Sequence, residues 1–227
     1  MLKIKGNGLI SKSLNKNLTT NSFEIFAAGV SNSNEESIKE FNREIEELLT
    51  FIDDRDPLKT IIYFSTYSID DPSLTSSKYN QHKLNIENII KKIDDSLIMR
   101  LPNVIGDGGN PNTMFNYFKE SIKHNKQITV LKNAFRNFID VNDISCFINN
   151  LGNKYPQTIK LIHPISYNII DIVTKMGYYL NKNVLIKKIE GGENYIDQPT
   201  PYVYNIMKKC DINMKETYID NILKKYI

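Results

Sequence analysis

Two groups of residues in this chain have types and spacings that could do chemistry. The first is Gly6-Asn7-Gly8, set after a short apolar run and before the helical stretch Leu9-Leu18. A tight glycine turn at that point would set helix N-terminal amides against a pyrophosphate. The place of a third glycine is taken by Ser11, small enough for close helix-strand packing; the plain alternative is an ordinary strand-helix turn. The second group is Tyr79-Asn80-Gln81-His82-Lys83, whose ends at i and i+4 put a phenol and an ammonium on one helical face. With 13 Tyr and 25 Lys in 227 residues, chance gives about 1.4 such pairs, and the chain has three: Tyr79/Lys83, Tyr178/Lys182 and Tyr204/Lys208. Only the first follows a buried-looking strand, Ile61-Ile62-Tyr63-Phe64, that ends in the hydroxyls of Ser65 and Thr66.

The elements that must position these groups alternate in type. Apolar runs at Leu2-Lys5, Glu24-Ala28, Thr60-Ser65, Ser96-Leu101 and Ile159-His163 read as strands. Between them Glu35-Ile52 places Ile38, Phe41, Ile45, Leu48, Leu49 and Ile52 at helical spacing, and Tyr79-Ile93 does the same with Leu84, Ile86, Ile89, Ile90 and Ile93. Asn112-Lys123 and Asp140-Leu151 are further helices, the latter opening on Asp140 and Asp143, which suit a helix N-terminus. The alternation predicts an α/β fold: a Rossmann-like parallel sheet with helices on both faces. It loosens past residue 152, where Gly191-Gly192, Pro199 and Pro201 punctuate the chain. The expected division is a core over 1–152, with substrate-loop elements from about 103, and a smaller C-terminal substrate lobe over 153–227.

Composition narrows the function classes. Twenty-nine Lys+Arg against 26 Asp+Glu leave a net charge of +3, too little field to imply nucleic acid or anionic lipid as a partner. Cys146 and Cys210 make no disulfide framework, and neither lies at metal-ligand spacing; Cys146 sits on an apolar helix face and is expected to pack. His82, His124 and His163 are scattered, which favours core or surface roles, and no metal site is expected. The N-terminus lacks a leader-like apolar core, and no apolar run approaches the roughly 18 residues of a membrane span. The expectation is a soluble cytoplasmic protein with no membrane partner.

Seven segments, KGNGLIS near the start, FAAGVSNS at 26–33, FNREIEELL at 41–49, IIYFSTYS at 61–68, YNQHK at 79–83, RLPNVIG at 100–106 and FRNFIDVNDI at 135–144, stand in the order found in the extended short-chain dehydrogenase/reductase family. The chain resembles that family of nucleotide-sugar epimerases, dehydratases and reductases over roughly residues 1–150. The resemblance implies NAD or NADP as cofactor and a nucleotide-sugar substrate in surface-polysaccharide precursor synthesis. It makes Tyr79 the acid/base, Lys83 its activator and a ligand of the nicotinamide ribose, and Thr66 the hydroxyl that binds the reacting oxygen, with Ser65 and Ser68 near enough to serve in its place. A free phenol titrates near 10, and bringing it to about 7 takes about 4 kcal/mol, which Lys83 and a cationic nicotinamide would jointly supply. The cofactor would lie on Gly6, Asn7, Gly8, Leu9, Ile10, Ala27, Ala28, Gly29, Lys83 and Pro102. Ser68 and Asn103 would contact substrate. So would Arg136, one of only four Arg in a lysine-biased chain, whose fork of donors suits a diphosphate. Asn42 would support the active-site loop, Gly106-Gly109 would form a loop over the substrate, and relatives imply a homodimer through a four-helix interface containing the Tyr-Lys helix.

Departures from the family pattern bear on the reaction. Dehydratases carry Asp and Glu after the catalytic Thr, where this chain has Tyr67 and Ser68, and the Cys and His of the epimerising synthases are absent from Tyr67/Ser68 and Asp107. Hydride transfer remains, as 4-keto reduction or C4 epimerisation. After Leu9-Leu18 the chain runs almost directly into the segment that resembles the family's fourth strand. The second and third strands, which carry the adenosine contacts, are therefore expected to be missing. Loose cofactor retention would favour a reductase. The competing reading is a member that has lost catalysis and serves as a sugar-nucleotide binding or assembly protein.

Overall fold

The computed structural model describes residues 2–192 and 197–227. Its centre is a five-stranded sheet in which β1 (Lys3–Lys5), β2 (Phe23–Phe26), β3 (Thr60–Thr66), β4 (Ser96–Leu101) and β8 (Thr158–Lys160) lie side by side in that order, all parallel. Three helices connect the first four strands: α1 (Leu9–Asn17), α2 (Ile38–Asp53) and α3 (Lys78–Ile90). β5 (Asn103–Ile105), α4 (Met114–Lys123), β6 (Ile128–Leu131), β7 (Phe135–Asp140) and α5 (Val141–Asn149) precede β8, and β9 (Ser166–Asn168), α6 (Ile169–Tyr179), β10 (Ile186–Ile189), α7 (Pro201–Lys209) and α8 (Tyr218–Tyr226) follow it. β7 pairs with β5 in parallel and with β9 antiparallel, and β6 pairs with β10.

Strand residues alternate between two cores, as the period-two geometry requires. Ile61, Tyr63 and Ile98 face α2 and α3 through Leu48, Phe51, Ile86 and Ile90. Ile62, Phe64, Leu97 and Met99 face the other way, joined by Leu14 of α1 and Ile144, Phe147 and Ile148 of α5. That second core continues through Ile172, Met207 and Leu223, so the C-terminal helices pack on it directly. The parallel sheet runs past residue 152, because β8 lies beyond it and pairs with β4. Asp140 caps α5, accepting from the Asn142 amide at 2.9 Å. α8 is tied to this helix end: the Tyr218 hydroxyl donates to Asp143 Oδ2 at 2.6 Å, and Tyr226 and Lys225 donate to Asp140.

β1 is an edge strand among the described residues, and the chain passes from the end of α1 to β2 in a few residues. The three crossovers β1-α1-β2, β2-α2-β3 and β3-α3-β4 all step the same way across the sheet, yet α1 lies on the face opposite α2 and α3. The first crossover therefore has the opposite hand to the next two, although about 98% of such connections are right-handed.

The helix ends differ from the expected ones for local reasons. α2 starts at Ile38 and not Glu35, because Ser37 caps it by accepting from the Glu40 amide. α3 stops at Ile90, where Ser96 Oγ takes up the carbonyls of Ile90 and Ile93. On α2 the buried face includes the carboxylate Glu44, whereas Ile38 and Leu49, expected in the apolar stripe, are 73% and 45% exposed.

Candidate active site

A cleft of about 1500 Å³ opens at the carboxyl ends of β1 to β4, the edge at which open parallel sheets place ligands. Gly6, Asn7, Gly8, Leu9 and Ile10 form one wall, Ala27, Ala28 and Gly29 the next, Thr66, Ser68, Tyr79 and Lys83 a third, and Pro102, Asn103 and Arg136 the far side. Every residue singled out for cofactor, substrate or catalysis thus borders the same space.

The glycine turn is shaped by close approach of the chain. Gly6 has φ +134°, and a Cβ there would run into the Ala27 carbonyl, so a side chain is excluded twice over. Gly8 has open space where its side chain would be and supplies no side-chain cap to α1, so the first-turn amides of the helix are not covered by one. Ser11 is wholly buried and donates to the Gly8 carbonyl at 3.0 Å, in keeping with a small residue at the packing position. Gly106 and Gly109 pack against Leu9, which places the Gly106-Gly109 loop beside the glycine turn.

Thr66 ends β3 and caps the short 3-10 turn Tyr67–Asp70. Its Oγ1 lies 2.7 Å from Ser68 Oγ, which in turn donates to Asn80 Oδ1 at 2.7 Å. Asn80, buried on α3, also donates to the Ser68 carbonyl, fastening this turn to the helix. Ser65 also lines the cleft, but its hydroxyl donates to Glu87 at 2.7 Å, beside the Arg100 guanidinium that binds both Glu87 oxygens. Of the three candidate hydroxyls, that of Ser65 is therefore committed to a carboxylate, whereas those of Thr66 and Ser68 bond to each other.

The tyrosine-lysine pair has company that sequence reasoning missed. Lys83 Nζ donates to Glu44 Oε1 at 2.9 Å and to Tyr63 Oη at 3.0 Å, and it lies 5.7 Å from the centre of the Tyr79 ring. Glu44 is fully buried and accepts four hydrogen bonds, from Lys83, Tyr63, His82 and the Val30 amide. Burial works to raise its carboxyl, but the Lys83 charge and these hydrogen bonds override it and hold it well below the usual carboxylate range. Burial, reinforced by Glu44, pushes the Tyr79 phenol well above its ordinary 10, against a lowering hydrogen bond with Thr66. In the protein alone the Tyr79 phenol is not brought toward neutrality, because burial and, after it, the Glu44 carboxylate both disfavour the phenolate. The available signal for Glu44 was its place in the apolar period of α2, between Phe41 and Leu48.

On the far wall, Asn103 donates to the Asn137 carbonyl and braces β5 against β7. Arg136 Nη1 donates to the Phe135 carbonyl at 2.8 Å, and no carboxylate pairs with this guanidinium among the described residues. Asn42 is exposed on α2. Among the described residues no group of His, Cys, Asp or Glu could hold a metal ion, and no helix is long and apolar enough to cross a membrane.

No family model and no curated protein sequence matches the chain. Solved structures do. RMD from Pseudomonas aeruginosa, complexed with NADPH, matches at TM-score 0.75 and 14% identity over 99% of this chain and 96% of that one. UDP-glucuronic acid 4-epimerase from Bacillus cereus, with UDP-glucuronic acid and NAD, matches at 0.66 and 15% over 97% and 77%. dTDP-glucose 4,6-dehydratase from Bacillus anthracis, with NAD, matches at 0.62 and 14% over 90% and 71%. The chain has the Rossmann-like α/β fold of these dinucleotide-bound enzymes.

Proposed function

We propose that this chain is a shortened member of the extended short-chain dehydrogenase/reductase family, an NAD(P)-dependent oxidoreductase acting on a nucleotide-activated sugar. The observation that carries this reading is the single cleft onto which the glycine turn, Thr66, Tyr79, Lys83 and Arg136 all converge. The residues present fit a dinucleotide: Gly6 makes the tight turn against Ala27, Gly8 leaves open space at the start of α1 for a pyrophosphate, and Ala27, Ala28 and Gly29 present little side-chain bulk on the next wall of the cleft. A nicotinamide, when bound, supplies or accepts the hydride. Tyr79 holds the proton exchanged with the sugar oxygen, Thr66 hydrogen-bonds that oxygen, and Lys83 presents its remaining ammonium proton to the ribose. Arg136 takes the sugar diphosphate. Tyr67 and Ser68, in place of carboxylates, favour 4-keto reduction or C4 epimerisation over dehydration.

The edge position of β1 leaves less protein around the adenosine half, which supports a reductase that exchanges its cofactor each turnover. The same feature favours a second reading, a sugar-nucleotide binding or assembly protein without redox activity. Ile38, Leu49 and Leu84 are exposed on α2 and α3 and fit a homodimer through those helices. The reading also carries a cytoplasmic place in surface-polysaccharide precursor synthesis.

The test is a fluorescence titration with NADPH and NADH, then turnover with UDP-, GDP- and dTDP-hexuloses followed by nicotinamide absorbance. Stoichiometric loss of absorbance identifies a reductase, and turnover without net loss an epimerase. Tyr79→Phe should abolish hydride transfer with binding intact, while Tyr178→Phe, at a residue 82% exposed, should not. Failure to bind either cofactor at millimolar concentration refutes the enzyme reading.

A further inference from the structure

Lys83 is only 2% exposed, and two of its three ammonium protons are engaged by Glu44 Oε1 and Tyr63 Oη, while the nitrogen lies 5.7 Å from the centre of the Tyr79 ring. Glu44 cannot turn aside, because its second oxygen is held by His82 Nε2 at 2.9 Å and by the Val30 amide at 2.8 Å. His82 is itself stacked on Phe41, with ring centres 4.4 Å apart. Gly29 closes over the pair so tightly that a Cβ would lie 2.8 Å from both Glu44 Oε1 and Lys83 Nζ. Among the described residues, the charged and titratable groups that bear on Tyr79 are Lys83 from α3, Glu44 from α2 and Tyr63 from β3, and the Lys83 and Glu44 charges oppose each other within 2.9 Å.

We propose that Glu44 is a positioning residue: it fixes Lys83 and balances its charge, so that Tyr79 gives up its proton in response to positive charge entering the cleft and not to Lys83 alone. This rests on the oxidoreductase reading for the role of the Tyr79 proton. The coupling it describes ties proton removal to the presence of an oxidised, cationic cofactor and keeps the phenol protonated in the empty protein. A reduced cofactor, lacking that charge, leaves Tyr79 as an acid ready to protonate a carbonyl oxygen.

Ultraviolet difference titration of tyrosinate tests this without cofactor or substrate. The Tyr79 contribution is isolated by subtracting the matching Tyr79→Phe chain from the parent, from Glu44→Gln and from Glu44→Asp. Glu44→Gln removes the balancing charge at nearly constant shape, and Tyr79 should ionise at least about one pH unit lower than in the parent. Glu44→Asp keeps the charge but draws it back from Lys83, and should lower Tyr79 by less. If Glu44→Gln does not fold, the direction in Glu44→Asp decides. A Tyr79 ionisation that stays in place or moves upward while only thermal stability falls overturns the proposal and leaves Glu44 a structural residue. In active protein the acid limb of the pH profile should move with the titration, and rescue by Glu44→Asp should be partial. Absence of NADPH and NADH binding to the parent would instead strike the oxidoreductase reading, and the phenol titration would still stand as its own result.

Discussion

Replacing Gly29 by alanine adds one methyl at the tightest point of the site. The new Cβ would lie 2.8 Å from Glu44 Oε1, 2.8 Å from Lys83 Nζ and 3.3 Å from Glu44 Cδ. Ordinary contact needs about 3.5 Å, so both charged groups must retreat by roughly 0.7 Å. Side-chain ends usually yield cheaply, but here Glu44 is held by four hydrogen bonds of 2.8 to 2.9 Å, and retreat stretches them together. The expected cost is that of overpacking a rigid core, about 1–3 kcal/mol, or a fall in Tm of several degrees for a chain of this size. Urea denaturation of the parent, Gly29→Ala, Glu44→Ala and the double variant measures it as a cycle. Glu44→Ala clears the space, so the methyl should then cost no more than about 0.5 kcal/mol, giving a coupling of at least about 1 kcal/mol. Additive effects within 0.5 kcal/mol would show that the methyl is accommodated elsewhere and that the pair is not rigid.

Burial raises the Asp143 carboxyl from 3.8 to about 6, assisted by Asp140 and opposed by its hydrogen bond from Tyr218. The folded state then holds that proton more tightly than the unfolded chain, so the contribution is fully present below 3.8, declines as pH rises to about 6, and amounts to about 3 kcal/mol lost above it. Asp143→Asn, which still accepts from Tyr218, should flatten that decline in urea titrations and stabilise the neutral protein; an unchanged pH dependence would contradict the assignment. Gly6→Ala, at φ +134° against the Ala27 carbonyl, should cost about 1–3 kcal/mol in the same assay and weaken NADPH binding, and a neutral result would mean the turn can relax. Arg136→Lys keeps the charge and loses the fork, so the KM for the nucleotide sugar should rise about tenfold with little change in kcat; an equal loss in both would place Arg136 nearer the reacting carbon.

The five central strands are legible because Ile, Leu, Phe and Tyr cluster in short runs, and the helices between them because their apolar residues recur every three or four positions. The convergence on one cleft follows from parallel connectivity, which brings Gly6, Ala28, Thr66 and Pro102 to the same sheet edge although up to 96 residues separate them. Glu44 was hidden by its type: a carboxylate on an amphipathic helix reads as solvated surface unless its partners Tyr63, His82 and Lys83 are known to lie opposite. β9 carries too little pattern to be read, since its pairing with β7 is made by tertiary contact. The hand of the first crossover is likewise silent in residue types, because it depends on which side of β1 the chain next visits.

β1 joins the sheet through only three residue pairs, Lys3 with Glu24, Ile4 with Ile25 and Lys5 with Phe26, and nothing among the described residues pairs with its other edge. The glycine turn and the start of α1 hang from that short ladder, so their local opening should require far less free energy than global unfolding. Amide hydrogens from Lys3 to Ser11 should then exchange sooner than those of β3 and β4, and a pyrophosphate bound at the turn would slow them most. Ligand affinity at this end of the cleft is therefore also a measure of how firmly the protein closes its own first strand.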